Sequence, residues 1–471
     1  PVFTDAQCIR VCQHVVARLF DYCSALSEAE AARCGREDGA VVVVDYNTLE
    51  QPVWFNLTAQ RVALMLLCAA RARGIPLAAL IPPEVGATAF ATFVALWPVR
   101  LAAAAGQTDA GLWVRNGDTF GRAMHVYRIE LLAPLVRDWD VVAMQLAAAV
   151  LEPRAFLTLL VQTFRLAHAD DCPPACRRVL LRTLLGVLTC VQHHEPLVPP
   201  QQQIEQYVVD ALAVADAAHS KLCGGYYSPD IVSHRAVPPE FDAAVAAVAV
   251  ASPSTQGAYT LRADAWARLN IYDPRYTTAA LTAAEERWEE HAKHAQLPSA
   301  MPPCPPVLSL GHIPDVPRCP LLLSVLNTAL DGALDDFRIV VPCFHLLRLA
   351  FADVARGTPQ AAAVSQGCLE PNNSGGTRLV DALLRIAEGE TLAVHAEAVV
   401  LLRQLYALGS DDVRRVLDQS RLELAEKTSA APSPPQGSAK MQAARAPGTD
   451  DGRHDVQGLG HALPLCWDGC L

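Results

Sequence analysis

Aromatic residues make up only 6% of this 471-residue chain, and charged residues only 18%. Strands draw on aromatic and β-branched side chains, so the shortage of aromatics beside very frequent alanine works against an all-sheet fold and favours helix. Low charge beside 52% hydrophobic residues excludes a disordered chain and leaves enough apolar surface for a sizeable core. Basic clusters are also missing. Lys and Arg number 38 against 49 Asp and Glu, for a net charge of -11. Phosphate binding needs clustered cations, so nucleic acid is not an expected partner. No apolar run reaches the roughly 18 residues that span a bilayer. Residues 141–151 stop at Glu152-Pro153-Arg154, and 90–105 contain Pro98 and Arg100, so no membrane partner is expected either. The opening Pro1-Val2-Phe3-Thr4-Asp5 has no basic region ahead of an apolar core, so no signal peptide is read there, and the missing Met points to a processed chain or a fragment. There is no G-x-x-x-x-G-K-[ST] phosphate loop and no G-x-G-x-x-G. Gly375-Gly376 after Asn372-Asn373-Ser374 reads as a flexible loop.

What is present in quantity is cysteine, 15 in all, an odd number without a repeated spacing. These read as reduced thiols of a cytosolic or nuclear protein, several of them (Cys68, Cys190, Cys343) serving as small hydrophobes in apolar runs. Cys172, Cys176, Cys190, His193 and His194 have a spacing that a zinc site could use, but Cys190 falls among Leu184, Leu185 and Leu188 on an apolar helix, and packing is the preferred reading. His125, His168, His219, His234 and His345 have no Ser, Cys or carboxylate at a telling spacing, and Trp113 and Trp139 read as core anchors. No catalytic, cofactor-binding or metal-ligating residue is assigned, and no cofactor is expected in this segment.

The expected fold is mainly α. Residues 1–200 read as a helical scaffold domain, with an amphipathic helix over 1–35, a stretch at 40–44 that period alone leaves open between strand and helix, and an almost wholly apolar core helix over 141–151. A helix over 177–192 ends before Pro196 and Pro199-Pro200. Residues 201–275 change grammar: short helices at 203–214, 216–225 and 239–251 precede a strand-like Gly257-Ala258-Tyr259-Thr260-Leu261, the pattern of a winged-helix module. The 239–251 helix carries two acids and no base, which argues for protein contact rather than DNA. Residues 276–306 hold a polar helix (277–296), with Glu289 four residues before Lys293, and a stiff spacer with five prolines over 298–306. A second helical domain covers 307–427, with a regular helix at 378–388 and a helix start at Ser410, Asp411 and Asp412. The composition of 428–471 is that of a disordered tail.

Four stretches, in order, resemble the UBR-type N-recognins. Gly111-Leu112-Trp113-Val114-Arg115-Asn116-Gly117 is similar to the family's Gly-Met-Trp-Arg-Arg-Asn-Gly. Asp138-Trp139-Asp140 with Gln145, Glu152-Pro153 and Phe156-Leu157 is similar to its Asp-Lys-Asp, Gln, Asp-Pro and Phe-Leu. Ala218-His219-Ser220 and Gly257-Ala258-Tyr259-Thr260-Leu261 resemble its Ala-His-Ser and Gly-x-Tyr-Glu-Leu. The polar helix running into Leu297-Pro298 and Pro302-Pro303-Cys304-Pro305-Pro306 resembles the family's polar helix before a proline run. Val114 replaces a basic residue and Glu152 an Asp. The resemblance covers roughly 60–430.

The resemblance implies a RING-type E3 ubiquitin ligase of the N-degron pathway. Its partners would be a ubiquitin-conjugating E2 and N-degron substrates, engaged through the full-length protein. Zinc is expected in the family's UBR box and RING, neither of which is recognised here, so this chain would be the scaffold segment between degron-binding domains and RING. The family's basic E2-binding helix has no counterpart around Lys440-Met441-Gln442. The alternative is a non-enzymatic helical adaptor or complex subunit.

Overall fold

The computed structural model describes residues 4–31, 36–37, 40–41, 57–112, 124, 127, 137–165, 173–193, 200–226, 239–271, 276, 278–297, 302, 304, 307–332, 336–352, 359–371, 377–388, 395–408, 411 and 413–419. Helix α1 (Asp5–Ala31) starts on a capping box: Gln7 N donates to Thr4 Oγ1 (3.3 Å) while Thr4 N donates to Gln7 Oε1 (2.8 Å). Strands β1 (Arg36–Glu37) and β2 (Ala40–Val41) pair antiparallel, which settles Ala40–Val41 as strand; residues 42–44 lie outside the described residues. Then come α2 (Thr58–Ala72), the single turn α3 (Leu77–Leu80), α4 (Ala87–Asp109), α5 (Arg137–Val150), α6 (Pro153–Thr163) and α7 (Pro174–His193). Their apolar faces meet in a core that includes Val16, Leu64, Leu67, Phe90, Val142 and Leu146.

Helix α4 departs from expectation. Pro98 and Arg100 do not interrupt it; the helix runs through both, and both are buried. An interior proline removes a backbone hydrogen bond and costs about 3 kcal/mol in a helix with nothing else to hold it. Here packing on nearly every side offsets that loss, and the Arg100 guanidinium lies 4.6 Å over the Trp97 ring. At 23 residues α4 is also long and apolar enough to cross a membrane by length and composition, but 78% of its apolar window is buried inside the molecule. Gly106 lets α7 come close, since a Cβ there would lie 3.0 Å from Thr183 Oγ1.

The chain then leaves this core. Helix α8 (Pro200–Val214), strand β3 (Ala217–Ala218), α9 (His219–Tyr226), α10 (Pro239–Val248), β4 (Ala249–Ala251) and β5 (Ala258–Leu261) pack on one another, with an antiparallel sheet in the order β3-β5-β4. Ala217 pairs with Tyr259 and Ala218 with Ala258 on one side, and Val250 pairs with Thr260 on the other. The helix expected over 239–251 ends at Val248, because 249–251 are taken up by pairing with β5 despite the helix preference of alanine. Gly257, at φ 77°, makes the turn between the two strands. The polar helix α11 (Thr278–His294) lies against α8 and buries Ala284, Trp288 and Ala292.

The return is made by residues 307–312 and the 3-10 turn Ile313–Arg318. Leu308 N donates to Gln192 O (3.0 Å) and His312 N to Ala149 O (3.1 Å), while Leu308 and Leu310 pack on the N-terminal core. Helices α12 (Pro320–Gly332), α13 (Phe337–Ala352), α14 (Pro359–Leu369), α15 (Leu379–Glu388) and α16 (His395–Leu408) follow. Helix α15 buries Leu379, Val380, Leu383, Leu384 and Ile386, the face its periodicity requires. Helix α13 runs along α7, so the helices before the excursion and those after it share one seam. Ser410 and Asp412 of the expected helix start fall outside the described residues. The chain divides into two compact units, Pro1–Glu423 and Leu424–Leu471. The second unit, including the expected tail 428–471, lies outside the described residues. The class is mainly α, as the composition requires.

Candidate functional site

The motif residues of the N-terminal half are fastened into the core. Asp140, from the first turn of α5, accepts from Arg61 Nε (3.0 Å) and Nη2 (2.9 Å), with only 1% of its side chain and 8% of that of Arg61 exposed. Burial pushes the Asp140 carboxyl up, while the Arg61 guanidinium and a hydrogen bond from Tyr127 pull against it. Gln145 Nε2 donates to Val191 O (3.0 Å), which ties α5 to the end of α7. Glu152 caps α6 with Pro153 as its first residue, and its carboxylate lies 3.7 Å from His312 Nε2 on the returning segment. Phe156 and Leu157 are buried, and Trp139 packs at the edge of the core. Only Gly111 and Leu112 of the first motif are described, closing α4; Trp113 to Gly117 lie outside.

A second cluster lies where the chain leaves and returns. His193, at the last turn of α7, and His345, from the middle of α13, are both buried, with their Nε2 atoms 2.7 Å apart. Cys304 Sγ lies 3.5 Å from His345 Nδ1, and Arg348 Nη1 donates to Pro302 O (2.7 Å). Arg348 Nε is 3.9 Å from the carboxylate of Glu397 on α16. Burial pushes the Cys304 thiol up to about 11, with Arg348 lowering it and Glu397 raising it. The Cys304 thiol and the two imidazoles thus form one hydrogen-bonded row, in which donor and acceptor follow from the ring tautomers. Burial first, then His193 and Arg348, hold His345 well below the ordinary imidazole value, and burial raises Glu397. A thiol held protonated is no nucleophile, so this arrangement fastens helices rather than attacks a substrate.

The third cluster joins α11 to the excursion. Arg287 Nη2 donates to Asp216 Oδ1 (2.6 Å) and Nη1 to Leu212 O (2.9 Å), while the Ser252 hydroxyl donates to Asp216 Oδ2. Burial raises the Asp216 carboxyl, but hydrogen bonds from Ser252, Arg287 and Thr260 outweigh it and leave the group below the usual carboxylate range. Trp266 stacks on His291 at 5.1 Å, beside Trp288. His219 Nε2 lies 2.8 Å from Asp242 Oδ1 across α9 and α10, with its ring edge toward Phe241 and Tyr259. The two halves of the third motif therefore meet: Ala218 pairs with Ala258, and His219 packs against Tyr259.

The sequence set that spacing allows for zinc does not assemble. Cys176 and His193 lie 17 residues apart on α7, about 25 Å at the helical rise. Cys176 Sγ donates to Ala110 O (3.3 Å), and His193 faces His345. Cys172 and His194 lie outside the described residues, as do His125, His168 and His234. Among the described residues, no group of three or more His, Cys, Asp or Glu is placed to hold a metal ion. Sequence reasoning missed the carboxylate beside His219 and the partners of His345, because these contacts span 23, 41 and 152 residues. The one sequence signal was a histidine among Phe344, Leu346 and Leu347 in an apolar helix, a polar group that burial obliges to find a partner.

No protein-family model matches the chain. It is similar to the E3 ubiquitin-protein ligase PRT6 of Arabidopsis thaliana, 24% identical over 286 residues, which is 57% of this chain and 14% of that protein. It is also similar to the E3 ubiquitin-protein ligase UBR2 of Homo sapiens (23% over 250 residues, 49% of this chain) and of Mus musculus (22% over 264 residues, 50% of this chain). The chain spans 14% to 15% of the length of these curated relatives. These partial matches relate the chain to the UBR-type E3 ubiquitin-protein ligases.

Proposed function

We propose that this chain is a scaffold segment of an N-degron E3 ubiquitin ligase, holding degron-binding and RING modules of a larger protein at a fixed separation. The observation that carries the reading is the seam: the returning chain is held by α13 at Pro302 and Cys304 and by the end of α7 at Leu308, beside the His193 from which the excursion departs. A fixed exit and return give a bound substrate's lysine a defined path to the E2-linked ubiquitin, which is proximity catalysis at the level of domains. The placement of the resemblance-bearing residues in packing roles supports the same reading.

Residues 201–275 serve in this proposal as a winged-helix module for protein docking. The order helix, strand, helix, helix, strand, strand with sheet order β3-β5-β4 supports it. Helix α10, in the position that would enter a DNA groove, carries Glu240 and Asp242 and no base, so the expected partner is a protein and not nucleic acid. The role needs no membrane and no cofactor within this segment; the zinc of the pathway would sit in the UBR box and RING, and the cell compartment would be the cytosol or nucleus.

The test is ubiquitination with E2 added, comparing the product of the full transcript with residues 1–427 alone. Activity from the full product and none from 1–427 is the expected result. A full product that lacks both activity and a Cys/His-rich extension would overturn the ligase reading in favour of a helical adaptor.

A further inference from the structure

We infer that the contact of His193 with His345 is a proton-operated latch, which holds the returning strap (residues 302, 304 and 307–312) onto the seam at neutral pH and releases it in acid. The inference goes beyond the ligase reading and does not depend on it.

The geometry sets the rule. Two nitrogens 2.7 Å apart have room for one hydrogen between them. With one proton on each ring the contact is a donor–acceptor pair. If both rings take a proton from solvent, two N–H groups face each other and two cations share a buried site, so the contact must open. If one ring alone takes it, the cation lies in a dry seam close to the Arg348 guanidinium, which is also unfavourable. Among the described residues, Cys304 on the strap meets His345 Nδ1, and the Arg348 guanidinium on α13, itself beside Glu397 of α16, acts on the same ring. Charged groups on the other elements packed here have partners of their own: His312 at the end of the strap with Glu152 (3.7 Å) and Asp315 (3.5 Å), Asp315 also with Arg318 on the 3-10 turn (3.0 Å), Asp331 on α12 with Arg385 (2.8 Å), and Asp140 on α5 with Arg61 (2.9 Å).

The same rings hold the strap. His345 takes Cys304 on its other nitrogen, and one turn further along α13 Arg348 takes the carbonyl of Pro302. Leu308 is bonded to the residue next to His193. Opening the histidine pair therefore loosens α7, α13 and the strap together. His345 sits below the ordinary imidazole value in the folded chain, so its stabilising effect is complete above an unfolded value of about 6.5 and is lost as pH falls below it.

Hydrogen exchange on the whole chain at about pH 7.5 and about pH 5.5, corrected for intrinsic rates, reads the latch. Seam opening is expected to rise about tenfold for each imidazole that must charge, over that interval. The loss of protection should appear in peptides covering 302–312, the last turns of α7 and the middle of α13, while peptides from β3 to β5 stay unchanged. His345→Gln, which keeps an amide N–H but does not titrate, should abolish most of the response, and His219→Gln should leave it intact. Equal seam protection at both pH values, or a loss spread evenly over the chain, overturns the latch. Should His345→Gln fail to fold, carbon-13 histidine spectra of the unaltered chain decide: two seam rings titrating at the ordinary imidazole value with protection unchanged also overturn it.

Discussion

The helical core and the excursion of residues 200–297 are held by different physics. The core closes over long apolar helices, and polar side chains inside it are tied to partners, Asp140 to Arg61, Gln145 to Val191 O and His193 to His345. The excursion has a sheet of strands two to four residues long. It relies on a polar network around Asp216 and on a Trp266–Trp288–His291 stack to hold its flanking helix. Its main packing is within itself, α11 included. A change in one region should therefore leave the other largely intact, while a change at the seam should separate the two without unfolding either.

The largest effect is expected from Arg61→Ala. It leaves the Asp140 carboxylate buried without its guanidinium partner, a loss of about 3–5 kcal/mol for a broken buried pair. Protonation of Asp140, whose pKa burial has already raised, brings the loss toward the lower end of that range. Chemical denaturation combined with hydrogen exchange should place the loss in α2, α4 and α5 and leave protection in β3 to β5 unchanged. A uniform loss across both regions would erase the distinction between them.

Next comes the junction. Gly311 has φ 50°, and a Cβ there would sit 1.8 Å from Ala149 O, so the strap or the end of α5 must move to admit one. Gly311→Ala should cost roughly 2–4 kcal/mol, combining a collision with backbone and a left-handed conformation. Limited proteolysis should then cut within 298–312 sooner than in the unaltered chain, while the far-ultraviolet dichroism keeps its helical form. Unchanged proteolysis would mean that the strap is not held where it meets α5.

Much of this contrast is legible in the sequence. The apolar period of 379–386 and the almost wholly apolar 141–149 specify buried helices without reference to anything distant. The polar character of 278–294 separates that helix from the core ones. Pairwise partnerships are not legible. Helical preference across Ala249-Val250-Ala251 lost to a strand arriving from 258–261, and Pro98 signals a break only if its helix is assumed to be exposed. The buried seam was hidden for the same reason: His345 in its apolar helix signals a need for a partner, but only tertiary packing brings His193 and Cys304 to it.

A smaller effect is expected from Asp216→Asn in the excursion. It removes the charge that takes hydrogen bonds from Arg287 and Ser252, worth about 1–3 kcal/mol at a partly buried site. The folded carboxyl lies below its unfolded value of about 3.9, so this stabilisation is fully present above that pH and is lost as pH falls through the folded value. Thermal melts of the unaltered chain and the variant should therefore differ at neutral pH and converge as pH falls through the folded value of this carboxyl. The protection lost should be that of β3 to β5 and α11, the reverse of the Arg61→Ala map.

The smallest effect tests what attaches α11. Lys293 lies 3.9 Å from Glu289 one turn earlier, with 80% of its side chain exposed. Such exposed pairs contribute only a few tenths of a kcal/mol, so Lys293→Ala should shift stability by less than about 0.5 kcal/mol. Trp288 and Ala292 on the opposite face carry the attachment, because their burial removes apolar surface from water. The polar character that marks α11 in the sequence is thus the solvent side of an ordinary docked helix. If Lys293→Ala instead weakened the chain by more than about 1 kcal/mol, far above the exposed-pair range, the outer face of α11 would have to bear on another part of the protein. The excursion would then be tied down on two sides and would not be the separately held region described here.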